Sequence, residues 1–164
     1  MIQVTPTLGF IEAINVSTSK IFQFEGRSRR SEFWWTKLLV YLASLVLTPF
    51  VGFLLDLLTI PLTFRRLHDT GRSGWWWGFG ALLKLLFILT IGHDIFTSIA
   101  NSDNFAGYEE QLVNTLLLRY GIFTIGIGIY QVILLVLCCF DSEEYENQYG
   151  PSPKYVDDEN LEEK

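Results

Sequence analysis

Apolar and polar positions are grouped in long blocks along this chain, and the first block predicts an amphipathic helix. Within residues 7–22, Phe10, Ile11 and Ile14 recur at helical spacing, while most polar residues fall on the opposite side. A helix with this pattern is typical of a segment that lies in a membrane interface. Packing on the protein's own surface would produce the same pattern, so both placements remain open.

The next block, residues 33–64, is apolar except for Lys37 and Asp56. One membrane crossing takes about 20 residues, so this run is too long for one upright helix and too short for two complete ones. A single crossing would place the arginine-rich segments on either side of the run on opposite membrane faces, against the positive-inside tendency. A helical hairpin that turns within Pro49–Gly52 keeps both segments on one face, and we expect this hairpin.

Two later apolar segments, residues 74–93 and 119–140, each have about the length of one crossing. Between them, residues 94–111 are polar and acidic and contain no lysine or arginine, which is typical of a loop on the outer side. Residues 141–154 end in a Gly-Pro-Ser-Pro turn and form a C-terminal motif. The acidic residues 155–164 are expected to be disordered.

The predicted fold is therefore all-α, an integral membrane helical bundle of about four transmembrane helices. Its first two helices are short and form the hairpin, and an interfacial amphipathic helix precedes them in a single membrane domain over residues 1–154. The composition agrees, because mean hydropathy is +0.28 and only 18% of residues are charged. Soluble domains contain roughly one quarter charged residues.

The formal net charge of -6 comes from the C-terminal end of the chain. Residues 141–164 contain nine acidic residues against Lys154 and Lys164, a net charge of -7, so the rest of the chain is at +1. A body with this charge offers no basic face of the size that a nucleic-acid backbone requires. We therefore expect no nucleic-acid partner.

Arginine and tryptophan occur together at two junctions between polar and apolar blocks, at residues 24–35 and 65–77. Basic residues near a membrane surface attract anionic lipid headgroups, and tryptophan prefers the headgroup level. Alternatively, the arginines only set the topology and pin the loops. The candidate residues for binding a headgroup or a partner are Arg27, Arg30, Arg65, Arg66, His68, Asp69, Arg72, Trp75 and Trp76.

Two charged residues fall inside the apolar blocks, Asp56 and Lys84. Asp56 precedes Arg65 by nine residues and Lys84 follows Gly74 by ten, so at ~1.5 Å per residue both reach a similar depth. A lone charge at such depth is costly, which favours an intramembrane ion pair between them. In the alternative interpretation, Asp56 lies in the hairpin turn region and Lys84 extends along its helix towards water.

No metal or cofactor site is predicted, because Cys138 and Cys139 are adjacent within an apolar run and lack a metal-ligand spacing. The chain also lacks a zinc-binding His-Glu-x-x-His, a nucleophile elbow, a phosphate-binding loop and paired carboxylates. His68 and Asp69 are neighbours on a helix and point about 100° apart, so they do not form an oriented catalytic base. We therefore do not expect an enzyme.

Three motifs resemble those of a known family. They are Phe24-x-Gly26-Arg27-x-x-Arg30-x-Glu32-Phe33-Trp34, then Arg65-Arg66-Leu67-His68-Asp69-Thr70-Gly71-Arg72-Ser73-Gly74-Trp75-Trp76, then Asn147-x-Tyr149-Gly150-Pro151-x-Pro153. In this order they resemble the domain of unknown function 805 family, whose members are small bacterial inner-membrane proteins. The resemblance implies a location in the inner membrane and an architecture, but no activity. The three motifs are expected to converge on one cytoplasmic face, with both termini on that side.

Two functions fit these observations. The first is a structural or interaction role in which the basic, aromatic face binds anionic phospholipid, a second copy of the chain or another membrane protein. The second is a component of a small oligomeric transporter or channel, in which Asp56, Lys84, Arg119 and the glycine faces line a path between protomers. Four short helices are few for a pathway through one protomer, so the second function requires an oligomer.

Overall fold

The computed structural model describes residues 2–100 and 108–157, which are mostly helical. The elements in chain order are β1 (Ile2–Val4), α1 (Phe10–Ser19), α2 (Arg30–Val46), α3 (Pro49–Leu58), α4 (Ile60–Asp69), α5 (Trp75–Ala100), α6 (Tyr108–Cys139) and β2 (Tyr155–Asp157). They form two compact units. The first takes its described residues from Met1–Trp76 and Val136–Lys164, and the second comprises Trp77–Leu135.

Helix α1 is shorter than the predicted amphipathic segment and begins after Gly9 rather than at Thr7. The Glu12 carboxylate accepts a hydrogen bond from the Gly9 N–H at 3.1 Å, which satisfies one of the unpaired donors at the helix start. Ala13 is buried, and the Phe10 ring meets Trp35 of α2 edge to face at 5.6 Å. The helix therefore packs on the protein's own surface, in agreement with one of the two predicted placements.

Helices α2 and α3 form the predicted hairpin, with the turn at Leu47 and Thr48, just before the expected position. Pro49 begins α3 and has no N–H to satisfy, and the Thr48 hydroxyl accepts the Val51 N–H at 3.4 Å. A Cβ atom added to Gly52 would lie 2.6 Å from Ser44 Cβ, so glycine permits the close approach of the two arms. The apolar side chains of this hairpin remain largely exposed.

The predicted hairpin arm from residue 49 to residue 64 is divided, because α3 ends at Leu58 and α4 begins after Thr59. Unlike α3, α4 is buried along most of its length. Gly71 follows the helix with φ 69°, the left-handed conformation that commonly ends a helix. The Ser73 hydroxyl then accepts the Trp75 N–H at 3.3 Å at the start of α5.

A two-stranded antiparallel sheet joins the two ends of the chain, and neither strand was predicted. Strand β1 pairs with β2 in the register Ile2 with Asp157 and Val4 with Tyr155. The all-α prediction is corrected in this detail, and so is the expectation of disorder at residues 155–157. The strands are only three residues long and lack a periodic signal in the sequence. The remaining residues of the predicted tail lie outside the described range.

The second unit contains most of the two longest helices. The predicted span at residues 74–93 continues through Ala100, and α6 begins at Tyr108, so the described parts of the predicted loop at residues 94–111 are helical. Residues 101–107 of that loop lie outside the described range. Within this unit, the Tyr120 hydroxyl donates a hydrogen bond to the Asp94 carboxylate.

The part of the chain that the structure describes contains two helices that are long and apolar enough to cross a membrane, Trp75–Ala100 and Tyr120–Cys139. In the most apolar 18 residues of each helix, only 6% and 11%, respectively, are buried inside the protein. Outward-facing apolar side chains along this length are what a helix in contact with lipid requires.

Candidate functional site

The first unit has an unusual core, because Arg65 and Arg66 are the largest fully buried side chains described in the structure. Both lie on α4, together with Asp69, whose exposure is 0%. Residues 65, 66 and 69 fall on adjacent turns of one helix and can converge with groups from other segments. An arginine is stable at such a position only if carboxylates and carbonyls surround its guanidinium.

Asp69 is the centre of this buried cluster. Its carboxylate accepts hydrogen bonds from Arg27 Nε at 3.0 Å, from Arg66 Nη1 and from the Ser142 hydroxyl. Burial raises the pKa of Asp69, whereas the Ser142 hydroxyl and the two arginines oppose that rise. Three segments of the chain thus meet at one carboxylate: the first arginine and tryptophan junction, α4 and the segment that follows α6.

Arg27 connects the first motif to the C-terminal segment. Its Nη1 donates to the Tyr145 carbonyl at 2.9 Å, and its Nη2 donates to the Glu143 carbonyl at 2.7 Å. Arg66 connects α4 to the end of α6, because its Nε donates to the Cys138 carbonyl at 3.0 Å. Arginine suits this role, since its planar group presents five donors in fixed directions.

Arg65 forms a second ion pair, with Glu32 of α2 at 3.1 Å. Its Nη1 also donates to the Gln23 carbonyl at 2.8 Å, and both side chains of the pair are almost completely buried. The Arg65 Nε and the Ser28 hydroxyl are buried without a hydrogen-bond partner among the described residues. Glu32, which lies in the first turn of α2, therefore serves in the core.

His68 lies at the edge of the cluster and is held on three sides. Its Nδ1 lies 3.1 Å from the Gly26 carbonyl, its ring stacks on Tyr149 at 3.8 Å, and its own carbonyl accepts from Asn147 Nδ2 at 3.0 Å. Burial lowers the pKa of His68 from its usual 6.5, and the hydrogen bond to Gly26 opposes the change. The ring therefore stays neutral at pH 7 and serves as a packing group.

These contacts place four of the predicted headgroup ligands inside the protein instead. Arg27, Arg65, Arg66 and Asp69 are at most 7% exposed, and a headgroup could not reach them unless the cluster opened. This corrects the expectation that these four side chains face a lipid or a partner. The physical reason is that each has protein carbonyls or countercharges within hydrogen-bond distance, supplied by segments far away in the sequence.

The other predicted headgroup ligands lie nearer the surface. Arg30, Trp75 and Trp76 are exposed. Arg72 is half-buried, with its guanidinium carbon 5.1 Å from the centre of the Phe140 ring and its Nη1 donating to the Thr70 carbonyl. Of these four residues, Arg30 lines a cavity together with two other basic side chains, Arg29 and Lys154.

That cavity, which we call the basic aromatic pocket, has a volume of about 210 Å³. Its lining is Thr7, Arg29, Arg30, Ser31, Trp34, Trp35, Asp141, Ser142 and Lys154. Three cationic side chains face one carboxylate there, so the pocket carries a net positive charge. Two tryptophan rings form its apolar side.

Several side chains of the pocket are already ordered by the protein. Arg29 donates to the carbonyls of Pro6 and Thr5, at 2.6 and 2.9 Å, and partial burial lowers the pKa of its guanidinium. Lys154 Nζ is paired with Asp141, which raises the pKa of the lysine and lowers that of the aspartate. Arg30 makes one long contact with the Cys139 carbonyl, at 3.5 Å, and is the most available cation of the pocket.

Sequence reasoning identified only Arg30 of this pocket as a candidate ligand. The first arginine and tryptophan junction also contains Arg29, Trp34 and Trp35, so the repeated junction pattern was the signal that could have found them. Lys154 carries no such signal, because only the folding of the C-terminal segment brings it beside α2.

The two residues of the predicted intramembrane ion pair, Asp56 and Lys84, belong to different units. The partner that the structure gives to Asp56 is Lys37, whose Nζ lies 2.7 Å from the carboxylate and 2.6 Å from the Thr59 hydroxyl. Lys84 lies on α5 in the other unit, and its pairing with Asp56 stays a prediction. In residues 2–100 and 108–157, no group of three or more histidine, cysteine, aspartate or glutamate side chains is placed to hold a metal ion.

Comparison with known proteins shows which family the chain belongs to. The model of a family described as "Protein of unknown function (DUF805)" matches residues 44–151. The chain belongs to the DUF805 family. The inner membrane protein YhaH of Escherichia coli (strain K12) is 26% identical over 149 residues, which cover 80% of this chain and 87% of that protein. The YhaH protein of Escherichia coli O157:H7 matches to the same extent, and no solved structure matches.

The DUF805 match covers α4 and most of the C-terminal segment, which supply Arg66, Asp69 and Ser142 to the buried cluster. Together with the two long apolar helices, membership of the DUF805 family identifies the chain as a membrane protein. The family description assigns no activity.

Proposed function

We propose that this protein is a multi-pass protein of the bacterial inner membrane that binds anionic phospholipid through its basic aromatic pocket. The observation that carries the proposal is the pocket itself, in which Arg29, Arg30 and Lys154 surround a cavity next to Trp34 and Trp35. Cations beside tryptophan at a membrane surface suit a phosphate headgroup with the start of its acyl chains.

The proposed topology has α5 and α6 crossing the membrane and both termini on the cytoplasmic side. Its support is the pairing of β1 with β2, which holds the two ends of the chain together and requires an even number of crossings between them. The concentration of arginines in the first unit favours the cytoplasmic side for that unit. The relation to an inner membrane protein of Escherichia coli supports the same membrane.

The proposed role is one of interaction rather than catalysis. His68 is the side chain closest in type to a general base, but its Nδ1 is engaged with Gly26 and its ring is stacked on Tyr149. The carboxylates of Asp69 and Glu32 are likewise occupied by arginines. These groups stabilise the fold, whereas Arg29, Arg30 and Lys154 line an open cavity that a ligand can enter.

Native mass spectrometry of the purified protein, titrated with phosphatidylglycerol and with neutral phosphatidylcholine, tests this proposal. We expect preferential retention of phosphatidylglycerol. Arg30→Gln and Lys154→Gln should each weaken it by about 1 kcal/mol, or roughly fivefold, because each removes one cation near the phosphate. Arg72→Gln is the matched control, since Arg72 lies outside the pocket lining, and it should leave retention unchanged.

Equal retention of both lipids by the wild-type protein would contradict the proposal. An effect of Arg72→Gln as large as that of Arg30→Gln would show that charge alone, and not the pocket, binds the lipid. The same spectra report the oligomeric state. A stable oligomer that retains no anionic lipid would favour the transporter or channel component in its place.

A further inference from the structure

Beyond the lipid-binding pocket, we propose that the α2–α3 hairpin enters only one leaflet of the bilayer and returns to the face from which it came. The hairpin would thus be a re-entrant membrane segment rather than two transmembrane helices. Its partner is the hydrocarbon of a single leaflet, as the length, the charges, the turn and the exposed side chains of the hairpin indicate.

The length of the charge-free part matches one leaflet. Lys37 and Asp56 face each other across the two arms at 2.7 Å, and residues 38–55 between them contain no charged side chain. From Lys37 to the end of α2 at Val46 is nine residues, which extend about 14 Å at ~1.5 Å per residue. Half of a hydrocarbon core of ~30 Å is about 15 Å.

The position of the ion pair excludes a full crossing on energetic grounds. If the turn reached the far surface, Lys37 and Asp56 would lie near the middle of the bilayer. The Asp56 side chain is 67% exposed, so its carboxylate would then face lipid, where an exposed charge is strongly disfavoured. With the turn at the midplane, the pair lies at the membrane surface. Trp34 and Trp35, one turn earlier on α2, then lie at the headgroup level that tryptophan prefers.

The turn is built for an apolar environment. A backbone that reverses within hydrocarbon must satisfy its own polar groups, since no water is available. The Leu47 N–H donates to the Ala43 carbonyl at 2.8 Å, the Gly52 N–H donates to the Thr48 carbonyl at 3.1 Å, and Pro49 has no N–H. The Thr48 hydroxyl accepts the Val51 N–H, so three N–H groups around the turn are satisfied within the protein.

The side chains around the tip are apolar and uncovered by the first unit. Val46 is 85% exposed, Phe50 is 69% exposed and Leu45 is 65% exposed. Adjacent exposed apolar residues of this size mark a surface that contacts lipid or a partner. In the re-entrant position, the lipid tails of one leaflet cover these side chains. No additional protein is needed to remove them from water.

Cysteine labelling in intact cells and in inverted membrane vesicles tests the inference. In a background of Cys138→Ala and Cys139→Ala, the tip variants are Thr48→Cys and Val46→Cys, and the second of these preserves the Thr48 cap. The controls are Glu144→Cys, in the exposed C-terminal segment, and His93→Cys, an exposed site late in α5. The probe is a membrane-impermeant maleimide.

We expect neither tip variant to be labelled from either side before denaturation in dodecyl sulfate, and both to be labelled after it. Labelling of the tip from the same side as His93→Cys would show that the hairpin crosses and would overturn the inference. Labelling from the same side as Glu144→Cys would show that it lies on the surface and would also overturn it. The two controls report on the α5 crossing separately, so an error in the proposed topology is distinguishable from an error about the hairpin.

Discussion

Buried arginines take the place in the first unit that large apolar residues hold in most small cores. Arg65 and Arg66 each bring a charged group into the interior, and the cost of removing it from water is met by Glu32, Asp69 and backbone carbonyls. Replacement of one partner leaves the other charge buried without compensation. The stability of this unit should therefore depend more on single ionic residues than on single apolar ones.

Asp69→Asn tests this dependence. The amide keeps the shape of the side chain but removes the charge that compensates Arg27 and Arg66, so the folded protein should lose about 3 kcal/mol of stability. The measurement is thermal unfolding in detergent, supported by the amount of protein that accumulates in the membrane. Asp141→Asn is the matched control, because its pair with Lys154 is half exposed and should contribute less than about 1 kcal/mol. Equal losses for the two variants would refute the central role of Asp69.

His68 gives the first unit a predicted pH dependence. Its folded pKa lies below the ordinary 6.5, so the unfolded chain binds the proton more readily than the folded protein does. The contribution of His68 to stability is therefore fully present above pH 6.5 and decreases as the pH falls through the folded pKa. Unfolding measured from pH 7.5 to pH 5 should show this decrease in the wild-type protein and a smaller one in His68→Asn. An identical pH profile for both proteins would contradict the prediction.

At the scale of the elements, glycine sets how closely the two arms of the α2–α3 hairpin pack. A Cβ atom on Gly52 would meet Ser44 Cβ at 2.6 Å, well inside normal contact distance. Gly126 of α6 provides a contrast, because nothing lies within 4 Å of its added Cβ atom. Both are glycines in helices, and only the neighbouring arm makes them different.

Gly52→Ala should therefore force the hairpin arms apart and destabilise the protein by about 1 to 3 kcal/mol. Gly126→Ala should be neutral or slightly stabilising, because alanine favours a helix and meets no neighbour. Thermal unfolding of the two variants in the same detergent checks the difference. If Gly126→Ala proves as harmful as Gly52→Ala, the close approach of the arms is not the cause.

The elements that the sequence predicted well are those with a long periodic or apolar signal. Residues 33–64 were expected as a hairpin, and the turn lies within two residues of the expected position. The division of the second arm at Thr59 was not expected, because α3 and α4 read as one apolar stretch. What separates them is their surroundings: α3 is exposed, whereas α4 is enclosed by segments from both ends of the chain.

At the scale of the whole molecule, the chain leaves the first unit after Trp76 and returns to it at Val136. The returning segment supplies acceptors for the buried arginines, through the carbonyls of Cys138, Glu143 and Tyr145. The C-terminal motif is therefore part of the core. Its turn at Gly150, with φ 114°, places Asn147 and Tyr149 against His68.

Truncation separates the structural part of the C-terminus from the rest. A chain that ends at Phe140 loses the Ser142 hydroxyl from Asp69 and three carbonyl acceptors from Arg27, and it should fail to accumulate in the membrane. A chain that ends at Asp157 keeps every contact described above and should accumulate like the full-length protein. Quantitative immunoblotting of membrane fractions measures both. Normal accumulation of the shorter chain would show that the motif is dispensable for folding.

The sequence by itself determined the membrane character, the blocks that become helices and the convergence of three motifs, because hydrophobic length and arginine position are local properties. It did not determine which arginines are buried. Arg30 and Arg66 look alike in the sequence, yet one is exposed and the other is at 0% exposure. That difference depends on carbonyls and carboxylates that arrive from residues up to 74 positions away, and only the tertiary structure places them.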